Sequence, residues 1–374
     1  MPDLFASPLV SRRSFLAGAG SMFAAGLRPR QAEAFEQADA LYASAVRRKD
    51  GSFGCAVFAE DGRIVCDVPL PDRGHDIAFD PISRRAVAFA RRPRTFAVVF
   101  DPLSGTIERT LLSPEGRHFF GHGFFSPDGK LLYATENDFA DARGLIGVYE
   151  VARDFARIGE FTTHGMDTHE ALLMPDGETL VVANGGIETH PDYGRQKLNI
   201  PTMDPSLVFI DRRTGDLISQ HRLPRELHQL SIRHLAIDSR SRVWFGCQYE
   251  GASVDAPQLV GFASAENGMQ LAELPLDRLV QLSNYVGSVA TNRDGSRIAL
   301  SSPVGGTFLI LDAGNAEIIA ERKMADGCGL APSSQGFIAT SGEGVLDAIG
   351  LKARKASRTI YHFDNHILSL RRSA

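Results

Sequence analysis

Apolar and polar positions alternate along most of this chain in short runs separated by turn residues. In "HGFFSPDGKLLYAT", beginning at His122, Phe124 and Phe125 lead into Ser-Pro-Asp-Gly and then Leu131, Leu132 and Tyr133. Such a run predicts two β-strands joined by a tight turn. The same unit begins at His75, His169, His234, Ser288 and Cys328. A second kind of hairpin, with Asp or Gly near its turn, alternates with it, as in "FAVVFDPLSGTIERTL", "LVFIDRRTGDLISQHRL" and "TFLILDAGNAEIIAER". No segment keeps a helical period except the N-terminal stretch and "FEQADALYASA", Phe35–Ala45.

Two hairpins make a four-stranded sheet, and a spacing of roughly 40 to 65 residues per sheet is that of propeller blades with insertions. Six blades start at 75, 122, 169, 234, 288 and 328. A seventh is predicted from both ends of the chain. "NHILSL", Asn365–Leu370, would be its inner strand, and Leu41–Arg48, Cys55–Ala59 and Arg63–Leu70 its partners. A blade shared by the termini closes the ring and removes free sheet edges. The expected fold is therefore all-β, a seven-bladed β-propeller of WD40/YVTN-like type, with six or eight blades as the neighbouring counts.

The N-terminus changes the compartment. "SRRSFLAGAGSMFAAGL" sets Arg12 and Arg13 before an apolar stretch ending at Leu27, and "AEA" at Ala32–Ala34 is a small-x-small cleavage site. This has the form of a twin-arginine export signal. Residues 1–34 are thus expected to be a signal peptide and residues 35–374 a single propeller domain in the periplasm. No apolar run is long enough to span a bilayer, so no membrane span is expected after cleavage. The chain of 374 residues carries a net charge of −5. The mature part would carry −7, since the leader holds four basic and two acidic residues. Neither value suggests nucleic acid as a partner. The four cysteines include Cys55 and Cys66, diagonal neighbours across one hairpin, which are expected to be buried free thiols.

The histidines carry the candidate chemistry. The first positions of the seven inner strands are His75, His122, His169, His234, Ser288, Cys328 and His366. Five are histidine, where 11 histidines scattered over 374 residues would place fewer than one. Equivalent positions in a propeller meet at one end of the central channel. Neutral imidazole is a ligand for zinc, copper, iron and nickel, and a thiolate at Cys328 would favour copper. The expected metal is iron or copper, held by His75, His122, His169, His234 and His366 with Cys328. Asp76, Asp167 and Glu170 stand beside these positions as orienting carboxylates. A second set, His118, His164, His228 and His362, lies four to six residues earlier and is expected to form an outer ring. The competing reading is structural, because Gly74-His75 and Gly121-His122 resemble the Gly-His of WD-type repeats.

Loops after each blade's second strand should share the histidine face. There Glu136, Asn184 and Gln248 are candidate binding residues, with Asn137, Glu188 and Glu250 beside them. The insertion Asn184–Ser206, carrying His190, Asp192, Tyr193, Arg195 and Lys197, is the best lid candidate. "RRPR" at Arg91–Arg94 reads as a solvated charged turn. No phosphate-binding glycine loop and no Gly-x-Ser-x-Gly elbow is present.

Taken with the paired-arginine leader, the elements "GH…F.PDG", "THEALLMPDGETLVVANGGI", "HPD.GR.KLN" and "NH" resemble an uncharacterised family of exported proteobacterial seven-bladed propellers. The likeness covers essentially the whole mature chain and is strongest over His164–Ser206. Members of that family are often encoded beside imelysin-type iron-regulated proteins and dihaem oxidoreductase-like proteins. The resemblance thus implies partners among periplasmic redox or iron-uptake proteins, without assigning catalytic residues. Nitrous oxide reductase is a fold-level parallel, an exported propeller with a copper cluster on hub histidines, but no cupredoxin domain follows here. Three functions stay open: a metal-binding propeller in metal handling or redox partnership, a lactonase-type hydrolase using Glu136, Glu250 or a histidine as base, and a metal-free interaction scaffold.

Overall fold

In the computed structural model, residues 40–350 and 356–370 are described. The expected leader, residues 1–34, lies outside them. The strands form seven sheets arranged as blades around an axis. The first inner strands run Gly74–Asp80, Arg117–Phe125, Thr168–Leu173, Leu230–Ile237, Ser288–Thr291 and Gly327–Pro332. The seventh blade is completed from both ends. Leu41–Arg47 pairs with Phe53–Ala59 on one side and with His362–Phe363 and Leu368–Ser369 on the other.

Each blade is built from the alternation and the turn chemistry that the sequence shows. Asp side chains fold the turns by accepting backbone N–H bonds. Asp101 takes those of Leu103 and Ser104, Asp176 those of Glu178 and Thr179, and Asp211 those of Arg213 and Thr214. The core lies between successive blades rather than on the axis. Val57, Val68, Ala88 and Phe100 pack in one such layer, and Leu207, Phe209, Trp244 and Phe245 in another. Burial of one such aromatic side chain stabilises the fold by about 1.5–3 kcal/mol. The Trp244 indole N–H, fully buried, donates to Asp238 at 2.9 Å.

Two expectations shift. Of the helical option at Phe35–Ala45, residues 35–39 lie outside the described residues, and from Leu41 it gives way to a strand, since pairing to both neighbours outweighs a weak local period. Among the described residues one α-helix, Leu276–Leu282, forms in the segment before Ser288, burying Leu279 and Leu282. All four cysteines are buried and free, as expected for Cys55 and Cys66.

The axis is shaped by irregularity. In five blades the inner strand slips register at the ring position. His75 and Asp76 lie between Gly74, paired with Ala90, and Ile77, paired with Ala88. Phe120, Gly121 and His122 stand opposite Thr135 alone. His169 is extra in its strand, Arg233 precedes His234 as the extra residue in the next, and Cys328 and Gly329 stand opposite Thr340 alone in another. In the closing blade, residues 364–367 leave the ladder between two short strands. Such bulges re-aim side chains that a regular pleat would alternate between faces. The blade that starts at Ser288 has no slip and offers no imidazole.

Candidate metal centre

The bulges bring five imidazoles into one buried cluster. Ring centroids lie 4.8 Å apart for His122–His366, His234–His366, His75–His122 and His169–His234, and 4.6 Å for His75–His366. Two triads, His75-His122-His169 and His122-His234-His366, keep their ligand atoms within 4.8 Å of one another. Nitrogens on one metal, at bonds of about 2.0–2.1 Å, are at most about 4.2 Å apart, so a small inward shift would close either triad. Gly121 makes the approach feasible. Its φ is +108°, and a Cβ there would stand 2.6 Å from His75 Cδ2.

Support passes from blade to blade. The residue after one ring histidine is an acid that reaches the next blade's imidazole. Asp76 meets His122 Nδ1 at 2.9 Å, and Glu170 meets His234 Nδ1 at 3.3 Å. His75 Nδ1 meets Asp364 of the closing blade at 3.2 Å. A carboxylate accepting from Nδ1–H leaves the Nε2 lone pair facing the hub, the tautomer a metal needs. After His122 comes Gly123, so His169 receives no acid. Arg233 donates to His169 Nδ1 at 3.1 Å instead. A neutral His169 then carries its proton on Nε2 and acts as a hydrogen-bond donor rather than a ligand.

Electrostatics separate the five further. Burial pushes His75 down to about 3, against the pull of Asp364. Burial and neighbouring positive charge hold His169, His234 and His366 well below the usual range. His122 is the exception. Burial opposes its charge, but the bond to Asp76 and the charges of Glu170 and Asp76 prevail and raise it. Burial raises Glu170 to about 7. The hub thus holds four imidazoles kept neutral and one, His122, whose acid partners favour positive charge; a cation bound there would take the place of that proton. The Nε2 atoms of His122 and His366 are buried without hydrogen-bond partners, which fits ligands awaiting an ion. The set His122, His234 and His366, with His75 adjacent, is the best-prepared ligand group.

Other candidates sit elsewhere. Cys328 Sγ points to the backbone carbonyls of Asp364 at 3.1 Å and Thr340 at 3.5 Å, and joins neither triad. Its thiol is pushed up to about 12 by burial, so the thiolate argument for copper falls. Glu136 is sealed inside its sheet, because the strand Leu131–Asp138 continues past it. It binds Tyr149 Oη at 2.6 Å and Arg157 Nη2 at 2.9 Å, which removes it as a free base or mouth residue. Asn184 is likewise buried, bonded to the Thr163 carbonyl at 2.7 Å and the Thr168 hydroxyl at 3.1 Å.

The expected outer histidine ring does not form. His118 donates to the Phe119 carbonyl at 2.9 Å and meets Asn137 at 3.1 Å; His228 turns to the Arg225 carbonyl and His362 to that of Gly342. His164 sits on a loop with φ +53° and its Nε2 finds no partner. Glu250 forms an ion pair with Lys197.

Above the imidazoles lies a cavity of about 290 Å³ with His75, His169 and His234 in its wall and Gln248 beside them. The Asn184–Ser206 insertion reaches it through Arg195 and Lys197. Arg91 and Arg92 also line it, correcting the reading of Arg91–Arg94 as a solvated turn; only Arg94 is exposed, paired with Asp72.

Comparison with known families decides where the chain stands. The family described as Protein of unknown function (DUF1513) matches residues 68–370. The chain belongs to that family. No curated protein matches it. Among solved structures it is similar to Kuenenia stuttgartiensis hydrazine synthase, with a TM-score of 0.58 and 16% identity, over 82% of this chain and 89% of that one. At that identity the likeness concerns the fold alone. Membership in a family of unknown function leaves the chemistry to be read from the residues.

Proposed function

We propose that this propeller is an exported periplasmic protein that holds a first-row transition metal, iron or copper, on its hub imidazoles. Its role would be metal handling or redox exchange with periplasmic redox or iron-uptake partners. The observation that carries this is the carboxylate relay: three ring imidazoles give Nδ1–H to an acid and so turn an unprotonated Nε2 inward. A merely structural histidine needs both nitrogens satisfied, whereas His122 and His366 each leave Nε2 buried and unpaired. With the Cys328 thiol turned away, the donor set is all nitrogen, and imidazole serves iron, copper, nickel and zinc alike. Export by the paired-arginine leader fits a protein that is folded and loaded before crossing the membrane.

The test is elemental analysis of protein exported through its own leader and purified without tag or chelator. One equivalent of iron or copper is expected in the wild type, and none in the His122→Ala/His366→Ala variant. Absence of metal after reconstitution with iron, copper and zinc salts in turn overturns the proposal and leaves a scaffold.

A further inference from the structure

The cavity over the hub is walled by five cationic side chains: Arg91, Arg92, Arg195, Lys197 and Arg233. They come from three separate parts of the chain: the turn after Arg85–Ala90, the Asn184–Ser206 insertion and the bulge before His234. Carboxylates behind the wall answer three of them. Arg91 meets Asp364 at 2.8 Å, Arg233 meets Asp167 at 3.5 Å, and Lys197 pairs with Glu250. Arg92 and Arg195 have no ion pair or hydrogen bond among the described residues, and no carboxylate lines the cavity itself. Arg233 Nε is buried without a partner. Arg195 stands exposed at the rim of the cavity, and partial burial together with Arg91, Arg92 and Arg73 pushes it down to about 10.

Like charges converging in a partly enclosed space are unfavourable without a counter-ion. Solvation relieves this for Arg195 at the exposed rim, but much less for buried Arg233 and half-buried Arg91 and Arg92. Here the wall stands over a neutral imidazole floor, and a cation in the hub would strengthen the positive field. We propose that this vestibule is a binding site for a small multivalent oxyanion, a polycarboxylate or a phosphate, held chiefly by Arg92 and Arg195. Guanidinium groups suit both through paired N–H donors. A volume of about 290 Å³ admits a small molecule and excludes a folded partner. The oxyanion would lie directly over His75, His169 and His234. A protonated His169 Nε2, as Arg233 enforces, offers it a further donor from the floor.

The inference goes beyond the metal reading and does not need it. The experiment is calorimetric titration of the full chain with inorganic phosphate and with tricarballylate, a weakly chelating tricarboxylate. It is run at low ionic strength on chelator-treated protein and on metal-loaded protein. One site per chain is expected, with affinity at least tenfold weaker in Arg92→Gln/Arg195→Gln. Neither arginine makes an ion pair or hydrogen bond among the described residues, and unchanged thermal unfolding of the variant shows that it remains native. Preference for phosphate assigns a phosphoryl ligand, and preference for tricarballylate a polycarboxylate. Binding in chelator-treated protein that takes up no metal keeps this site and removes the metal reading. Failure of both probes in both preparations, or undiminished binding by the double variant, overturns the inference whatever the metal analysis shows.

Discussion

Lowering the pH from 7 to 5 is expected to destabilise the metal-free protein, and His75 gives the magnitude. Its imidazole is pushed down to about 3, chiefly by burial, with Asp364 opposing. In the unfolded chain it returns to about 6.5. Between these values the unfolded state binds a proton that the folded state refuses, so stability falls with pH. The contribution is complete above about pH 6.5 and declines steadily towards pH 3. At pH 5 the loss is about 2 kcal/mol for this one group, from RT ln(1 + 10^1.5). His169, His234 and His366 act in the same direction. Glu170, raised to about 7 by burial, acts against them, because it takes its proton in the folded state first. His122, raised, acts against them too, because its folded form takes the proton first.

The comparison that isolates His75 is therefore a double difference. Urea unfolding of wild type and His75→Gln is followed by fluorescence of the single, fully buried Trp244, in chelator, at both pH values. Gln retains a donor for Asp364, which Arg73 and Arg91 also hold. Wild type should lose about 2 kcal/mol more than the variant on acidification. Equal losses would refute the claim that His75 is held neutral by burial.

Two other outcomes follow from the same contacts. Asp76→Asn, which weakens the orientation of His122, should lower zinc affinity about 10- to 100-fold in competition with a chromophoric chelator, and unchanged affinity would remove the relay from the metal site. Glu136→Gln should cost about 3 kcal/mol in urea unfolding with hub metal content unchanged, the low end for breaking a buried pair because Arg157 keeps Glu160; metal loss without destabilisation would return Glu136 to the site.

Strand, turn and closure were readable because they are local. The hairpin period, the Asp-Gly turns and the half-blades at the two ends all sit in contiguous residues. The convergence of five histidines was also readable, since a repeat places equivalent positions around one axis. The bulges were not. "GHDIAF" and "RHLAI" look like ordinary strand starts, and only pairing to the neighbouring strand reveals the extra residue. The same blindness misplaced Cys328, whose bulge turns the thiol to the next blade's backbone. Glu136 and Asn184 were assigned to a loop where the strands in fact run on, and their partners, Arg157 and Thr163, lie some 20 residues away. The one trace of the relay in the sequence is His-Asp at 75–76 and His-Glu at 169–170. It became meaningful once each acid was seen to serve the following blade.

That relay ties the hub to ring closure. Asp364 and His366 come from the C-terminal segment, which enters the structure by pairing with Leu41–Arg47 near the other end of the chain. Asp364 orients His75 of the first complete blade, and His366 stands within 4.8 Å of His122 and His234 in ring centroids. The ligand group is incomplete until the last blade shuts. Closure combines two short antiparallel pairings, the Ser44 hydroxyl donating to the His366 carbonyl at 2.6 Å, the ion pairs of Asp364 with Arg73 and Arg91, and burial of Tyr361, Phe363 and Ile367 in the core. An ion on His122, His234 and His366 would bind the closed ring and not the open one. By linkage it would stabilise the closing blade by RT ln(1 + [M]/Kd), about 2.7 kcal/mol when free metal is a hundred times Kd. The seam that closes the propeller and its most prepared ligands are thus the same few residues, so metal occupancy and integrity of the terminal blade should rise and fall together.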